Sequence, residues 1–224
     1  MAIRIRPNPP QIPGSLIDAV REVDLPTIGH FLEIGFAEPG IRWQVGPQRL
    51  VGRAVTVRVV APDSALVHRA TESLEEGDVL VVDTGGDRRH APVGSVVGTA
   101  VAARKAAGIV VDGPCTDLDA LETLGISVYA RGTSALTTKM HALPSGGINV
   151  PVVVGGVAVL PGYLVIGDRN GLLLADPADV EAVIADARLA DAREPGKLER
   201  LRDGEPLTQV SVAGERLRAV LGES

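Results

Sequence analysis

The chain has 224 residues, of which 45% are hydrophobic, 22% are charged and only 2% are aromatic. This composition is typical of a globular protein with an aliphatic core, and it argues against a disordered chain. The formal net charge of −6 and the scarcity of aromatic rings disfavour a general nucleic-acid binder and a binder of anionic membranes.

The first part of the chain is predicted to form an extended arm followed by helices. Four prolines within the first 13 residues favour the arm, and apolar residues at helical spacing from Leu16 to Val23 favour a first helix. Thr27 is a plausible N-cap for a second, short helix. Residues 37–48 contain two prolines and two glycines and are predicted to form a loop.

The middle of the chain alternates between predicted strands and predicted helices. Strands are predicted at residues 50–60, 79–83, 109–112 and 126–130. Helices are predicted from Asp63 or Ser64 to about Glu76, from about Gly94 to Ala107, and from Asp117 to Leu124. Buried strands joined by one helix run parallel with a right-handed crossover, so this region is predicted to consist of βαβ units.

The second half is predicted to be rich in strands and to end in a helix. Residues 150–162 and 163–175 each suggest a pair of strands, with a hairpin turn at residues 168–171. Residues 177–191 are predicted to form a helix. The sequence therefore favours an α/β fold, and one domain with a mixed sheet is preferred over two domains divided near residue 145. The predicted segments are an arm and helix at 1–24, the domain at 25–192 and a charged tail at 193–224.

Two predicted loops carry most of the residues suited to chemistry. The strands that end at Asp83 and Asp112 are predicted to be neighbours, and ligands of open α/β sheets bind at the carboxyl ends of such strands. The first strand leads into Gly-Gly-Asp-Arg-Arg-His at residues 85–90, and the second into Gly-Pro-Cys-Thr-Asp at residues 113–117. Free N–H groups at residues 94–97, where the next helix begins, favour a bound carboxylate or phosphate.

Each of these residues also has a simpler interpretation. Asp83 and Asp112 can end their strands with hydrogen bonds to the backbone, and Asp117 can serve only as an N-cap. The remaining candidates can be solvated loop residues or buried structural residues: Arg88, Arg89, His90 and Cys115. The single cysteine leaves no disulfide within the chain and no zinc site built on several cysteines.

Five segments resemble the RraA-like family, which includes the regulator of ribonuclease activity A and the 4-hydroxy-4-methyl-2-oxoglutarate aldolases. In chain order they are GRAVTVRVV, GDVLVVDTGGD, AAGIVVDGPCTDLDAL, INVPVVVGGVAVLPG and GDRNGLLL. The resemblance covers about residues 25–185. It implies a layered β/β/α swivelling-type fold and a homotrimer, or a dimer of trimers, with sites between subunits.

The resemblance also implies a metal site and a carboxylate site. The family's aldolases hold a divalent metal with the Asp of a Gly-x-x-Arg-Asp loop, which assigns Mg²⁺ or Mn²⁺ to Asp117, while Thr116 stands in place of the Arg. A Gly-Glu/Asp-Leu-Leu helix start binds the carboxylate of a keto acid through backbone amides. The matching residues are Gly94, Ser95, Val96 and Val97, so that Ser95 replaces the acidic residue.

Two functions follow as hypotheses. The first is a metal-dependent aldolase or oxaloacetate-decarboxylase-like lyase that acts on a small keto or hydroxy acid through a pyruvate-enolate-like intermediate. The family's Arg would donate a hydrogen bond to the oxyanion that develops during the reaction, and Thr116 replaces it here. Loss of one such donor typically lowers the rate by about 10²–10³. Compensation is predicted from the Arg88 or Arg89 guanidinium and from His90 as a proton carrier. Lys139 is either a further positive group at the rim of the site or an ordinary surface lysine.

The second hypothesis is a non-catalytic regulator that binds a protein partner through its acidic surface.

The tail offers four acidic residues that a neighbouring subunit could contribute to a site, and the sequence does not choose among them: Glu194, Glu199, Glu205 and Glu215. The first 14 residues lack the apolar core of a signal peptide, and the chain has no apolar run of membrane-spanning length. A cytoplasmic location is therefore expected.

Overall fold

A mixed β-sheet with helices against it forms the body of the protein, as the predicted α/β class requires. The computed structural model describes residues 2–222. The strands are β1 (Arg4–Ile5), β2 (Arg42–Val45), β3 (Leu50–Arg58), β4 (Asp78–Asp83), β5 (Gly108–Asp112), β6 (Ser127–Ala130), β7 (Gly147–Ile148), β8 (Val152–Val154), β9 (Val157–Val159), β10 (Leu164–Asp168) and β11 (Gly171–Ala175). The helices are α1 (Gly14–Arg21), α2 (Leu25–Ile28), α3 (Ala65–Thr71), α4 (Ser95–Ala103), α5 (Leu118–Thr123), α6 (Pro177–Arg202), α7 (Leu207–Val210) and α8 (Val212–Leu221).

The sheet is organised around four parallel strands in the order β3-β4-β5-β6. These are the predicted βαβ strands, and the short, mostly β-branched apolar runs inside β4 and β5 suit burial on both faces. Strand β3 pairs antiparallel with β10 at its beginning and with β7 at its end, and β1 extends the sheet beyond β7. The hairpin predicted at residues 168–171 joins β10 to β11.

The two faces of the parallel strands are covered by different kinds of structure. Helices α3, α4 and α5 pack on one face, where Val67, Val101 and Leu121 meet alternate strand residues. The β8–β9 hairpin and β10–β11 pack on the other face, where Val152 and Val154 are buried. This arrangement confirms the predicted layering of β, β and α. A separate cluster joins α1, α2 and α6 to β10 and β11.

Two helix predictions were wrong in detail. Helix α3 ends at Thr71 rather than near Glu76, because the following residues turn back and Glu75 donates its backbone N–H to Asp78 Oδ2 at 2.8 Å. Thr27 lies inside α2 and does not cap it, since the helix begins after Asp24. Local propensity placed these helices, and contacts with the sheet decided where they end.

The predicted loop at residues 37–48 contains a strand that the sequence did not reveal. Strand β2 pairs antiparallel with β6, and Trp43 lies opposite Tyr129. Strand β7, only two residues long, was also not predicted. Both strands form because an edge of the sheet offers unpaired backbone groups, which is a tertiary effect that short segments do not show in their own pattern.

The tail is more helical than the sequence indicated. Helix α6 begins after Asp176, whose side chain accepts a hydrogen bond from the Ala178 N–H at 3.0 Å, and it continues past residue 191 and through Pro195. Its buried residues, Val180, Ile184 and Ala187, all lie in its first half. Across residues 2–222, no helix combines the length and the hydropathy needed to cross a lipid bilayer.

Candidate functional site

The loops that follow β4 and β5 meet at the beginning of α4. Strands β4 and β5 are parallel neighbours with Asp83 opposite Asp112, so their carboxyl ends lie side by side. The chain returns from the first loop at Val93, which pairs with Cys115 of the second loop. The Thr116 N–H then donates to the Val93 carbonyl at 2.9 Å. These contacts bring Asp117 next to Ser95, as the predicted strand order implied.

Asp117 has a backbone conformation that few residues adopt. Its φ of 57° and ψ of 43° lie in the left-handed region, where Asp and Asn are tolerated better than other non-glycine residues. It precedes α5 but makes no side-chain hydrogen bond to that helix. Instead, its Oδ2 atom accepts hydrogen bonds from the Ser95 N–H and the Ser95 hydroxyl, both at 2.9 Å. The carboxylate thus serves α4, which is a different helix from its own.

Gly94 makes this approach possible. A Cβ atom at this position would lie 2.6 Å from Asp117 Oδ2 and 2.7 Å from Thr116 Cγ2, and both distances are too short for real contacts. The backbone of Gly94 is extended, so the requirement for glycine comes from the close neighbours and not from the dihedral angles. The chain therefore has a packing reason for glycine where α4 begins.

The first turn of α4 offers further donors beside the carboxylate. The first N–H groups of any α-helix have no partner within the helix. Asp117 accepts the N–H of Ser95, whereas the N–H groups of Val96 and Val97 have no acceptor within the described residues 2–222. The two hydrogen bonds from Ser95 hold the pKa of the Asp117 carboxyl below its usual value, which favours the carboxylate form.

The donor set at Asp117 suits a hard cation that keeps most of its water. Oδ2 is engaged by Ser95, while Oδ1 has only the Thr116 hydroxyl nearby, at 3.4 Å, and the residue is exposed. Within residues 2–222 there is no group of three or more His, Cys, Asp or Glu side chains that could hold a metal. Mg²⁺ is commonly bound through one or two carboxylates and several waters, whereas Zn²⁺ usually takes three or four protein ligands. The residues present therefore fit Mg²⁺ or Mn²⁺ through one ligand.

A second cluster of charges surrounds Asp112, and we call it the Asp112 cluster: Asp112, Arg88, Arg131 and Glu38. Asp112 Oδ1 accepts from Arg88 Nη1 at 2.5 Å and from Arg131 Nε, and Arg131 also pairs with Glu38. Oδ2 accepts from the Gly155 N–H at 2.8 Å. Burial by itself would raise the pKa of Asp112, but the bonds from Arg131, Gly155 and Arg88 outweigh it and lower the pKa.

The Asp112 cluster fastens the β8–β9 hairpin to the sheet. Gly155 lies in the turn of that hairpin, and Asp83 accepts the N–H of Val153 in the same hairpin at 3.1 Å. Asp83 also accepts the Gly85 N–H at 2.7 Å. These hydrogen bonds to the backbone agree with the simpler interpretation of Asp83 and Asp112, in which each carboxylate stabilises the end of its strand.

The Arg-Arg-His segment does not come together with Asp117 in this structure. Arg88 is bound to Asp112, and His90 Nδ1 lies 2.6 Å from Asp87 Oδ2. Arg89 is exposed, and only its backbone takes part in hydrogen bonds, to Asp87 and to Ser134. Among the described residues, no hydrogen bond or ion pair joins residues 88–90 to residues 94–97 or to Asp117.

His90 lies instead on a neighbouring cavity. The cavity has a volume of about 580 Å³, and its lining includes Arg58, Thr84, Asp87 and His90. Lys139 is exposed, and its backbone pairs with residues 62–64. The tail glutamates Glu194, Glu199 and Glu215 are exposed on α6 and α8, and Glu205 pairs with Arg200.

Arg131 is the charged residue that sequence reasoning missed. It directly follows β6, the fourth parallel strand, so the rule that drew attention to the ends of β4 and β5 applies to it as well. Cys115 lies between the two carboxylates in sequence and is fully buried. Burial raises the pKa of its thiol to about 11, which suits a structural residue.

Comparisons with known proteins give one family. A model of the RraA-like family, described as Aldolase/RraA, matches residues 16–174. A protein of Halalkalibacterium halodurans named putative 4-hydroxy-4-methyl-2-oxoglutarate aldolase is 33% identical over 155 residues, which cover 69% of this chain and 73% of the relative.

Two solved structures carry both sequence and structural similarity. The RNA-processing inhibitor RraA from Thermus thermophilis is 31% identical with a TM-score of 0.62, and the match covers 68% of this chain and 92% of that one. RraAS2 of Streptomyces coelicolor, described as an unusual member of the RNase ES inhibitor RraA protein family, is 26% identical with a TM-score of 0.70. That match covers 85% of this chain and 98% of the other.

Proposed function

Because this chain belongs to the RraA-like family, we propose that it is a divalent-metal-dependent lyase of aldolase or decarboxylase type that acts on a small keto or hydroxy acid. The observation that carries the proposal is Asp117, a residue in a left-handed backbone conformation whose Oδ1 has only a long contact with the Thr116 hydroxyl. It lies beside the N–H groups of α4 that have no acceptor within residues 2–222. An uncommon backbone conformation at a polar surface position is a feature that functional sites often retain.

Asp117 is the residue that would hold the metal. Ser95 fixes its carboxylate through Oδ2, and this leaves Oδ1 to face the ligand. A divalent cation such as Mg²⁺ or Mn²⁺ bound there would act as a Lewis acid toward the keto acid. The Asp117 carboxylate is charged at neutral pH, as any Asp with an ordinary or lowered pKa is, so it can bind a cation without first losing a proton.

The beginning of α4 would bind the carboxylate of the substrate. The N–H groups of Val96 and Val97 point out of the helix start, where the helix dipole favours an anion. The Thr116 hydroxyl is the side-chain donor next to Asp117, and it is neutral where the family's aldolases carry an Arg. We therefore expect a lower rate than in an enzyme with that Arg, by about 10²–10³.

The compensating roles proposed for the Arg-Arg-His segment now differ in their support. Arg88 and His90 are engaged by Asp112 and Asp87, whereas the Arg89 side chain makes no hydrogen bond or ion pair within the described residues. Within residues 2–222, Arg89 is therefore the one of these three residues whose charge is not already engaged, and its role at a bound anion stays a prediction. A homotrimer or dimer of trimers in the cytoplasm is part of the same proposal.

The test is metal-dependent release of pyruvate from oxaloacetate, measured against a blank that contains the metal without protein. We expect turnover with Mg²⁺ or Mn²⁺ and a loss of at least about 100-fold in Asp117→Asn, since Asn tolerates the left-handed conformation but lacks the charge. Asp119→Asn is the matched control, because Asp119 is an exposed acid in the first turn of α5.

Equal turnover in Asp117→Asn and the wild type would contradict the proposal, as would turnover that is independent of the metal. Thr116→Arg sharpens the test. If this site performs the family's chemistry, the added guanidinium should increase turnover, and an unchanged or lower rate at full metal occupancy would argue against the assignment of Thr116.

A non-catalytic regulator of ribonuclease activity is the second candidate. Its support is the similarity to the RNA-processing inhibitor RraA of Thermus thermophilis, together with Thr116 and Ser95 at positions where the family's aldolases have charged residues. Calorimetry with Mg²⁺ and Mn²⁺ distinguishes the two functions. Absence of metal binding to the wild type would favour the regulator over the lyase.

A further inference from the structure

Three arginines line one cavity beside β1, β7 and the end of β3. The cavity has a volume of about 590 Å³, within the range of small-molecule sites, and Arg4, Arg6 and Arg58 contribute to its wall. None of the residues at Asp117 or at the beginning of α4 is among its lining residues. The cavity adjoins the one that His90 lines, since Arg58 and Val60 belong to both, but it does not include the proposed metal ligand.

The register of the strands explains why the arginines share one face. Arg4 pairs with Gly147 in the parallel β1–β7 ladder, and Arg58 pairs with the same glycine in the antiparallel β3–β7 ladder. Residues paired across a sheet project from the same face, so the two guanidinium groups flank a position without a side chain. Arg6 lies two residues beyond Arg4, and its N–H donates to the Ile148 carbonyl at 3.1 Å, which continues the pairing.

The floor of the cavity requires small residues. A Cβ atom on Gly146 would lie 2.3 Å from the Arg58 carbonyl oxygen, and one on Gly147 would lie 2.6 Å from the Arg4 carbonyl oxygen. Gly146 also has a φ of 106°, which side chains rarely adopt. The glycine pair therefore lets three strands approach closely and leaves the space between the arginines open.

The charges of these arginines are poorly compensated. No acidic residue lines the cavity, and Arg4 and Arg6 form no ion pair within residues 2–222. Arg58 Nε lies 4.0 Å from Asp83 Oδ2, but Asp83 already accepts the N–H groups of Gly85 and Val153. Three like charges that share one cavity repel each other, and on a chain of net charge −6 this concentration of positive charge favours an anion.

The remaining walls suggest what kind of anion fits. Ser145 adds a hydroxyl group, while Val60, Val150 and Pro151 add an apolar wall. Guanidinium groups bind phosphate oxygens through two parallel hydrogen bonds, and a phosphate monoester carries about two negative charges and three acceptor oxygens. We propose that this cavity binds a small organic phosphate, with the phosphate group between Arg4, Arg6 and Arg58 and the organic part against Val60 and Pro151.

Calorimetry with two probes, inorganic phosphate and phenyl phosphate, tests the proposal on the full chain at pH 7 and low ionic strength. We expect both probes to bind, and phenyl phosphate to bind more tightly because of the apolar wall. Arg58→Gln and Arg4→Gln should each weaken binding at least about tenfold, the usual effect of removing a hydrogen bond to a charged group. Arg58→Lys should have an intermediate effect, since lysine keeps the positive charge but cannot donate two parallel hydrogen bonds to the phosphate.

Arg193→Gln is the matched control, because Arg193 is exposed on α6 and does not line the cavity. Equal losses of affinity in Arg193→Gln and Arg58→Gln would overturn the proposal, as would the absence of binding of either probe to the wild type. Equal affinities for the two probes would overturn the assignment of the organic part. The Arg58 side chain is 54% exposed, and Arg4 lies on the exposed strand β1. Both variants should therefore unfold at the same denaturant concentration as the wild type.

Discussion

Asp112 ends strand β5 and Asp117 lies five residues later, and yet the two have opposite surroundings. Asp112 is 8% exposed, and both of its carboxylate oxygens accept hydrogen bonds, from two arginines and from the Gly155 N–H. Asp117 is exposed, and the bonds from Ser95 use only one of its oxygens. A carboxylate whose two oxygens are both engaged by partners within the protein stabilises the fold. Asp117 Oδ1 has only the long 3.4 Å contact with the Thr116 hydroxyl, so it can still bind a ligand.

The difference arises from which element covers each carboxylate. The β8–β9 hairpin lies over the carboxyl ends of β4 and β5 and closes the space around Asp83 and Asp112. Asp117 lies beyond the hairpin, on the side of the sheet where α4 and α5 begin. The rule that ligands bind at the carboxyl ends of parallel strands therefore applies here to the helix side of that edge.

Removal of the Asp112 charge should have the largest effect on stability. Asp112→Asn should lower the free energy of unfolding by about 3 kcal/mol, because it removes the buried carboxylate partner of Arg131 and leaves that arginine paired only with the exposed Glu38. Asp117→Asn should lower it by about 1 kcal/mol or less, since an exposed amide oxygen can still accept from Ser95. Chemical denaturation of both variants measures the difference, and equal losses would show that the two carboxylates have the same role.

A second prediction tests the close approach at Gly94. Gly94→Ala places a methyl group 2.6 Å from Asp117 Oδ2, so the two loops must move apart. A displacement on the order of 1 Å can lower a rate by about 100-fold, and we expect a loss of metal-dependent turnover of that size.

Gly14→Ala is the control for this prediction, because a Cβ atom there meets nothing within 4 Å. It should leave turnover unchanged. Full turnover in Gly94→Ala would mean that the Asp117–Ser95 contact is not needed for the reaction.

The stability of the protein at acidic pH also depends on these two carboxylates. The pKa of Asp112 and the pKa of Asp117 are both lower in the folded chain than in an ordinary Asp residue, for which the value is about 3.9. Each group therefore stabilises the fold above that pH, and the stabilisation is lost as the pH falls through the lower folded value.

We expect the free energy of unfolding of the wild type to decrease below about pH 4, and each Asp→Asn variant to show a shallower decrease, because Asn does not titrate. Some slope should remain in both variants, since the pKa values of Asp63 and Asp87 are also lowered. Denaturant titrations at several pH values measure this. A wild-type stability that does not change between pH 5 and pH 2 would contradict it.

The smallest expected effect concerns Cys115, which lies between the two carboxylates. Its fully buried thiol has a pKa raised by burial to about 11, so iodoacetamide at pH 8 should leave the native chain unmodified. The same reagent should modify the chain in urea, as mass spectrometry can show. Rapid modification of the native chain would mean that the segment between Asp112 and Asp117 opens readily.

The sequence by itself determined the order of the βαβ units and the meeting of two loops at their carboxyl ends. The apolar runs of β4 and β5, and the small residues between them, are local patterns that depend on near neighbours only. The same patterns placed Ser95 and Asp117 near each other, because parallel strands with right-handed crossovers leave few other arrangements. The hairpin at residues 168–171 was equally local.

Only the tertiary structure decided which charged groups pair. Arg131 and Glu38 are 93 residues apart in sequence, and Arg88 is 24 residues from Asp112. No short-range pattern reveals such partners, since an ion pair depends on where the whole chain brings two side chains together. For the same reason the sequence left Arg88 and His90 available for catalysis, whereas the folded chain engages them with Asp112 and Asp87.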